Sequence, residues 1–378
     1  MMQSLGIYMH IPFCRSKCNY CDFLTMVPNN RQKIDEYTEY LLREINILAD
    51  NFADREVDTI YFGGGTPSLL TSDQIYKILD CIYKKFKVSL KAEITIEINP
   101  ETIDNKWIKN LKKAGVNRAS VGFQNSNQEI LDLIGRKSTL NMFLDTIDFL
   151  QKESINNISA DIILSLPNTN VETTLRDAKL LADLNIPHIS AYSLILEEKT
   201  LLYRQVKEGK IKLLGDELDR EIYHKFCEYL KSRGYRRYEV SSFSKAGYES
   251  KHNSRYWNLS EYLGLGLGAS GFINNMRTKN PVKLSDYYKR IDNNKIPYYI
   301  EYELSKENMM SEYSFLALRT AKGIDKKFFK EKFNVDFDKI FNLTVHEENG
   351  LIINDKDFVR LTEKGFDLSN LVEVDLLL

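Results

Sequence analysis

The chain has 378 residues, 43% of them hydrophobic, and sets 52 basic against 53 acidic side chains for a net charge of −1. That balance excludes a global field drawing it to nucleic acid or an anionic membrane, and no uninterrupted apolar run approaches the ~20 residues of a bilayer span. The start of the chain lacks a basic region followed by a long apolar one, and five cysteines, three of them clustered, argue against a disulfide framework and for a reducing, cytoplasmic compartment.

The first predicted strand, 6–11, runs into Cys14-x3-Cys18-x2-Cys21. A zinc site wants four protein ligands, or three and a water, and a four-iron cluster normally takes four cysteines. A set of three leaves one iron open to something that is not protein. A zinc ribbon would bring a second C-x2-C pair, but Cys81 and Cys227 are isolated and read as buried core thiols. A cleaved signal would remove this loop, so none is expected. His10, beside the loop, is expected to brace it, while His188, His224 and His346 are read as ordinary polar positions.

Further strands are predicted at 59–62, 94–98, 118–123, 159–164 and 189–194. Helical periodicity fills 33–50, 72–86, 104–114, 126–134 with 140–152, and 172–184, the second opening on a Thr71-x-x-Gln74 capping box. Such alternation implies a parallel sheet with right-handed crossovers. Six units without an eighth suggest an incomplete barrel, whose chemistry should gather at the C-terminal strand ends.

Those ends are polar in order. After the second strand comes Gly63-Gly64-Gly65-Thr66-Pro67, which lets backbone approach a ligand closely. After the third come Glu97 and Asn99, after the fourth Gln124 with Arg136 twelve residues on, and the fifth carries Asp161. Singly each is a solvated or structural residue; in sequence they are better explained as a cofactor cradle.

The cysteine spacing, with Tyr20 just before the third cysteine, resembles the radical-SAM superfamily. Together with Tyr8-Met-His10-Ile-Pro12-Phe13-Cys14, Gly63–Pro67, Glu97-Ile-Asn-Pro100, Ser120-Val-Gly-Phe-Gln124 and Asp161–Pro167, the chain looks like the oxygen-independent coproporphyrinogen III oxidase family over about residues 5–365. The resemblance implies an α/β fold: a partial (β/α)6 barrel at 1–240, a connecting segment at 241–300, and a small helical, winged-helix-like domain at 301–378. It implies a [4Fe-4S] cluster on Cys14, Cys18 and Cys21, with S-adenosylmethionine (SAM) chelating the open iron. Tyr8, Tyr20, Gly64, Gly65, Thr66, Glu97, Gln124, Arg136 and Asp161 match the SAM-contacting positions. In this family, reduction of the cluster cleaves SAM to methionine and a 5′-deoxyadenosyl radical.

The family holds both an oxidase, which decarboxylates two propionates, and a heme-chaperone branch. The oxidase pattern has a fourth cysteine where this chain has Phe23, and a long segment ahead of the first strand where this chain starts its strand at about residue 6. His252-Asn253-Ser254-Arg255-Tyr256-Trp257 matches the H-N-x-x-Y-W motif of the chaperone branch. The expectation is therefore a heme chaperone handing heme to an acceptor heme protein associated with a membrane, the oxidase being the alternative. His252 is a candidate heme ligand, with Tyr256 and Trp257 packing on the porphyrin; a loop cap and a core Trp are the bland alternatives. No residue is assigned a catalytic role. The run 264–271, rich in glycine, is expected to form a wall of the active cavity. Past 300, helices at 305–320 and 325–333, a hairpin at 351–361 and a helix from 362 resemble a winged helix, but lysines 326–332 are balanced by acids, so nucleic acid is not expected as a partner.

Overall fold

The computed structural model describes residues 4–378. Six strands pair in parallel and in chain order: β1 (Ser4–Ile11), β2 (Glu56–Gly64), β3 (Lys87–Ile98), β4 (Arg118–Gln124), β5 (Asn157–Leu164) and β6 (His188–Ser193). Helices α1 (Arg31–Ala49), α2 (Ser72–Lys85), α3 (Asn105–Lys113), α4 (Gln128–Leu133), α5 (Leu140–Lys152) and α6 (Val171–Asp183) connect them. The Thr71–Gln74 capping box forms as expected.

Strand alternation divides the chemistry. One face of β3–β5 presents Ile94, Ile96, Ile98, Ala119, Val121, Phe123, Ile158, Ala160 and Ile162, all in the main apolar core. Burying each such aliphatic side chain is worth ~1.5–3 kcal/mol. The residues between them, Glu97, Arg118, Ser120, Ser159 and Asp161, share the other face, toward the barrel interior. The result is an open partial barrel, apolar toward its helices and polar inside.

Two additions were not expected from the periodicity. On the β6 edge, α7 (Leu201–Lys207) and α8 (Asp216–Ser232) lead to an antiparallel pair, β7 (Arg236–Glu239) and β8 (Ser242–Ser244). On the β1 edge, helix α9 (Lys251–Trp257) precedes β9 (Tyr262–Leu265), β10 (Ser270–Ile273), β11 (Met276–Lys279) and, after α10 (Leu284–Asp292), β12 (Tyr299–Glu303), making one twelve-stranded sheet. These strands of three to five residues are too short to show a period of two against neighbouring loops.

The C-terminal part builds its own core. Helix α11 (Lys306–Leu318), β13 (Ile324–Asp325), α12 (Lys326–Phe333), α13 (Thr344–Glu348), β14 (Ile352–Asn354), β15 (Phe358–Leu361), α14 (Glu363–Asp367) and α15 (Ser369–Val374) surround Phe329, Phe333, Phe337 and Phe341. The three strands form a separate sheet in the order β13-β15-β14.

The histidines outside the site are accounted for by bonds within the fold. His188 is fully buried between Ser159 Oγ (2.8 Å) and Tyr238 Oη (2.9 Å). His224 faces Asp367 and His346 faces Asp375. Cys81 and Cys227 are half-buried, not enclosed, because they lie on the outer flanks of α2 and α8.

Candidate functional site

The cysteine loop is held by its backbone. Cys14 N donates to Met26 O (3.0 Å), and Met26 N donates to Pro12 O (2.7 Å), closing the loop at its base. Asn19 pins its far side: its N donates to Ile134 O and its Nδ2 to Leu133 O, at the end of α4, while its carbonyl accepts from Leu202 N of α7. His10 Nε2 meets Leu24 O at 2.9 Å, the expected brace. Burial pushes the Cys14 and Cys21 thiols up, so a metal or nearby cation is needed to make them thiolates.

Cys14, Cys18 and Cys21 line one cavity of about 520 Å3, within the ~300–1,000 Å3 usual for cofactor pockets. Among the described residues, no three Cys, His, Asp or Glu side chains converge on a single ion position. A single zinc needs such convergence, whereas a cluster gives each cysteine its own iron. Three thiol donors from one loop, all lining one cavity, suit a cluster that takes one cysteine per iron.

The strand ends supply the opposite wall. Gly64 has φ +113, and a Cβ there would fall 2.6 Å from His10 Nδ1; at Gly65 it would fall 2.7 Å from Phe13 O and 3.0 Å from Cys14 Sγ. Only glycine lets β2 pass this close beneath the loop. Glu97 accepts from Tyr61 Oη (2.9 Å) and Gly64 N (3.2 Å) and is pushed up to about 7 by burial. Gln124 sits at φ +63 where the β4–β5 register shifts, a bulge that re-aims it into the cavity. Asp161 accepts from Ser120 Oγ at 3.1 Å and is raised by burial.

Arg136 joins this wall to the loop. Its Nη2 donates to Asn99 Oδ1 (2.9 Å) and its Nη1 to Cys18 Sγ (3.9 Å). Asn99 Nδ2 donates to Thr66 Oγ1 (3.0 Å), which donates to Cys14 Sγ (3.5 Å). Arg136 Nε, buried, has no partner, leaving one donor for a ligand. Tyr20, Gly65 and Thr66 also line the cavity. The glycine turn, two carboxylates and a spare guanidinium donor suit a molecule carrying ammonium, sulfonium and carboxylate groups.

Tyr8 stands apart from the other expected contacts. It is not among the lining residues; it stacks on Tyr61 (6.1 Å) and bonds His10 Nδ1 (3.1 Å). The 264–271 run does not line the cavity either. Gly266 N donates to Glu44 Oε2 (2.7 Å), and Leu267 N to Tyr37 Oη, so Gly266 serves close packing beneath α1, while Gly264 and Gly271 let β9 and β10 approach each other.

The H-N-x-x-Y-W residues close the barrel floor. Ser250 caps α9, and the amides of Lys251 and His252 donate to Glu93 of β3. His252 is fully buried, its Nδ1 at 2.9 Å from Thr59 Oγ1 and its Nε2 at 3.0 Å from Tyr256 Oη, and burial holds it down to about 3. Both ring nitrogens are thus engaged, and neither is offered to an iron in this arrangement. Trp257 takes Arg319 over its ring at 5.6 Å. Asn253 is the member of the motif that reaches the cavity.

Sequence reasoning passed over Arg118, Tyr61, Tyr192 and Ile195, all lining residues. Arg118 was legible: it precedes Ser120, Gly122 and Gln124 on the same alternating face. Ile195 was not, because it lies beyond the last strand on a loop.

Residues 8–181 match the model of the Radical SAM superfamily, and residues 304–368 that of the HemN C-terminal domain. The chain is 36% identical to the heme chaperone HemW of Lactococcus lactis subsp. lactis, covering 96% of this chain and 94% of that protein. It is 36% identical to the heme chaperone HemW of Bacillus subtilis, covering 96% of each. Among solved structures, coproporphyrinogen III oxidase (HemN) from Escherichia coli, a radical SAM enzyme, superposes with a TM-score of 0.87 at 23% identity, covering 99% of this chain and 90% of that one.

Proposed function

The chain belongs to the HemW family of the radical SAM superfamily, and on that premise we propose that it is a heme chaperone that binds a [4Fe-4S] cluster, SAM and heme and delivers heme to an acceptor heme protein. The observation that carries the cofactor part is the single cavity shared by Cys14, Cys18 and Cys21 with Glu97, Gln124, Arg136 and Asp161. The three cysteines hold the cluster, and Tyr20, Gly64, Gly65, Thr66 and the four polar residues hold SAM; Tyr8 supports them through Tyr61 and His10. When bound, the reduced cluster supplies an electron to SAM. The chain's own residues orient SAM and exclude water.

In this reading the cavity of about 520 Å3 is taken by the cluster and SAM. Heme then sits outside it. His252, Tyr256 and Trp257 are the contacts the family resemblance suggests, and reaching His252 requires α9 to move, because both its nitrogens are bonded. We place the barrel at 1–240, the connecting segment at 241–300 and the C-terminal domain at 301–378. No helix among the described residues is long and apolar enough to cross a membrane; the proposed compartment is the cytoplasm, and the proposed acceptor a heme protein associated with a membrane.

The test is an anaerobic assay of the reconstituted protein with SAM and a reductant, offered heme in one arm and coproporphyrinogen III in the other. Stoichiometric heme binding without decarboxylated product is expected. Formation of protoporphyrinogen would replace this reading with the oxidase.

A further inference from the structure

Arg118 is 1% exposed and lines the cavity, and its guanidinium has neither a hydrogen bond nor an ion pair among the described residues; its Nε is buried without an acceptor. An unpaired interior cation is costly unless a nearby opposite charge offsets it. Arg136, the other buried arginine of the cavity, is tied to Asn99 and Cys18. Arg118 is left with its surroundings.

Those surroundings are two carboxylates on the flanking strands. Arg118 lies one inward position before Ser120 on β4. Ser120 is in register with Glu97 of β3, and its hydroxyl donates to Asp161 of β5. The tyrosines and histidines facing this region are neutral around pH 7. Tyr8 on β1, Tyr20 on the cysteine loop, Tyr61 on β2, Tyr192 on β6 and Tyr256 on α9 are all raised by burial. His188 on β6 and His252 on α9 are lowered by it. Behind the cavity Glu93 of β3 accepts from the Lys251 and His252 amides, Arg255 of α9 pairs with Asp58, and Glu239 of β7 is buried. Lys17, Asp22 and Glu197 lie at its exposed rim, which leaves Glu97, Asp161, Arg118 and Arg136 as the charges lining its inner wall.

We propose that Arg118 is a positioning residue: an internal counter-charge that keeps Glu97 and Asp161 ionised, so that they attract the positively charged sulfonium of SAM, without touching the ligand itself. This rests on the SAM reading above. A buried guanidinium bonded to neither carboxylate acts through its field and takes up none of their lone pairs, which are shared with Tyr61, Gly64, Ser120 and Ser159.

The experiment is anaerobic equilibrium dialysis of SAM against the cluster-loaded protein from pH 5.5 to 9, for the wild type, Arg118→Lys and Arg118→Met. Wild-type affinity should rise with pH as the carboxylates ionise. In Arg118→Met that rise should move up by about one pH unit or more, leaving binding at pH 7 roughly 10-fold weaker and converging on wild type at high pH. Arg118→Lys, which keeps the charge, should keep the wild-type profile. S-adenosylhomocysteine, which lacks the sulfonium charge, should respond less to the Met substitution.

An Arg118→Met profile identical to wild type overturns the inference and leaves the SAM site standing. So does an Arg118→Met chain that neither folds nor takes up the cluster, which would make Arg118 structural, or an Arg118→Lys profile displaced as far as that of Met. A wild type that loads the cluster but binds no SAM at any pH overturns the site reading and this inference together.

Discussion

Arg136 donates to Asn99 Oδ1 at 2.9 Å, and this bond makes the third strand end and the cysteine loop one assembly. The same guanidinium reaches Cys18 Sγ, and Asn99 reaches Cys14 through Thr66. Replacing Arg136 with Ala should lower cluster retention ~10–100-fold, the usual effect of losing a residue that orients metal ligands. Lysine should not restore it, because one ammonium cannot serve both partners in that planar geometry. Iron and sulfide content after anaerobic reconstitution measures this; Cys18→Ala, losing the ligand itself, should lose the cluster outright. Full retention in Arg136→Ala would show that the relay does not support the loop.

Gly64 gives a prediction about backbone. At φ +113, with His10 Nδ1 2.6 Å from where a Cβ would stand, Gly64→Ala meets strain and collision together. Strain of this kind costs ~1–3 kcal/mol, and displacing His10 would loosen its hold on Leu24 O. The unfolding midpoint in urea should fall and SAM binding weaken. Gly209, also at positive φ but with open space around it, should show only the conformational part.

His252→Ala should lower the stability of the heme-free protein. The substitution removes bonds to Thr59 and Tyr256 and a ring stacked 5.1 Å from Tyr61. A loss of roughly 2–4 kcal/mol is expected from such a buried deletion, read by chemical unfolding without heme. An unchanged midpoint would mean that the ring contributes nothing to the floor. A parallel heme titration tells whether the Soret band also depends on this ring.

Glu44 makes stability depend on pH. It is fully buried, accepts from Gly266 N, Asn280 Nδ2 and Tyr287 Oη, and burial pushes it up to about 7 from an ordinary 4.5. The folded chain therefore keeps a proton that the unfolded chain releases between those values. Its contribution is fully favourable below about pH 4.5, declines as pH rises to about 7, and is flat above. The span is on the order of 3 kcal/mol. Glu44→Gln should flatten that part of the stability–pH curve, and an unaltered slope between pH 5 and 7 would contradict the assignment.

By itself the sequence determined the layered parallel fold and most of the cradle. Both are written in local periods: alternation places Ile94, Ile96 and Ile98 on one face and Glu97 on the other, and the cysteine spacing is a property of one short loop. Glycine at 64 and 65 was legible for the same reason, since a backbone demand falls on the residue that meets it. What only the tertiary structure decided is which partners each side chain finds. Tyr8 turns to Tyr61 and His10 instead of the cavity. His252 spends both nitrogens on residues 193 and 4 positions away. Gly266 packs beneath α1 because Glu44 and Tyr37 lie there. Pairing across such separations follows from how the strands and helices dock, and no local pattern encodes it.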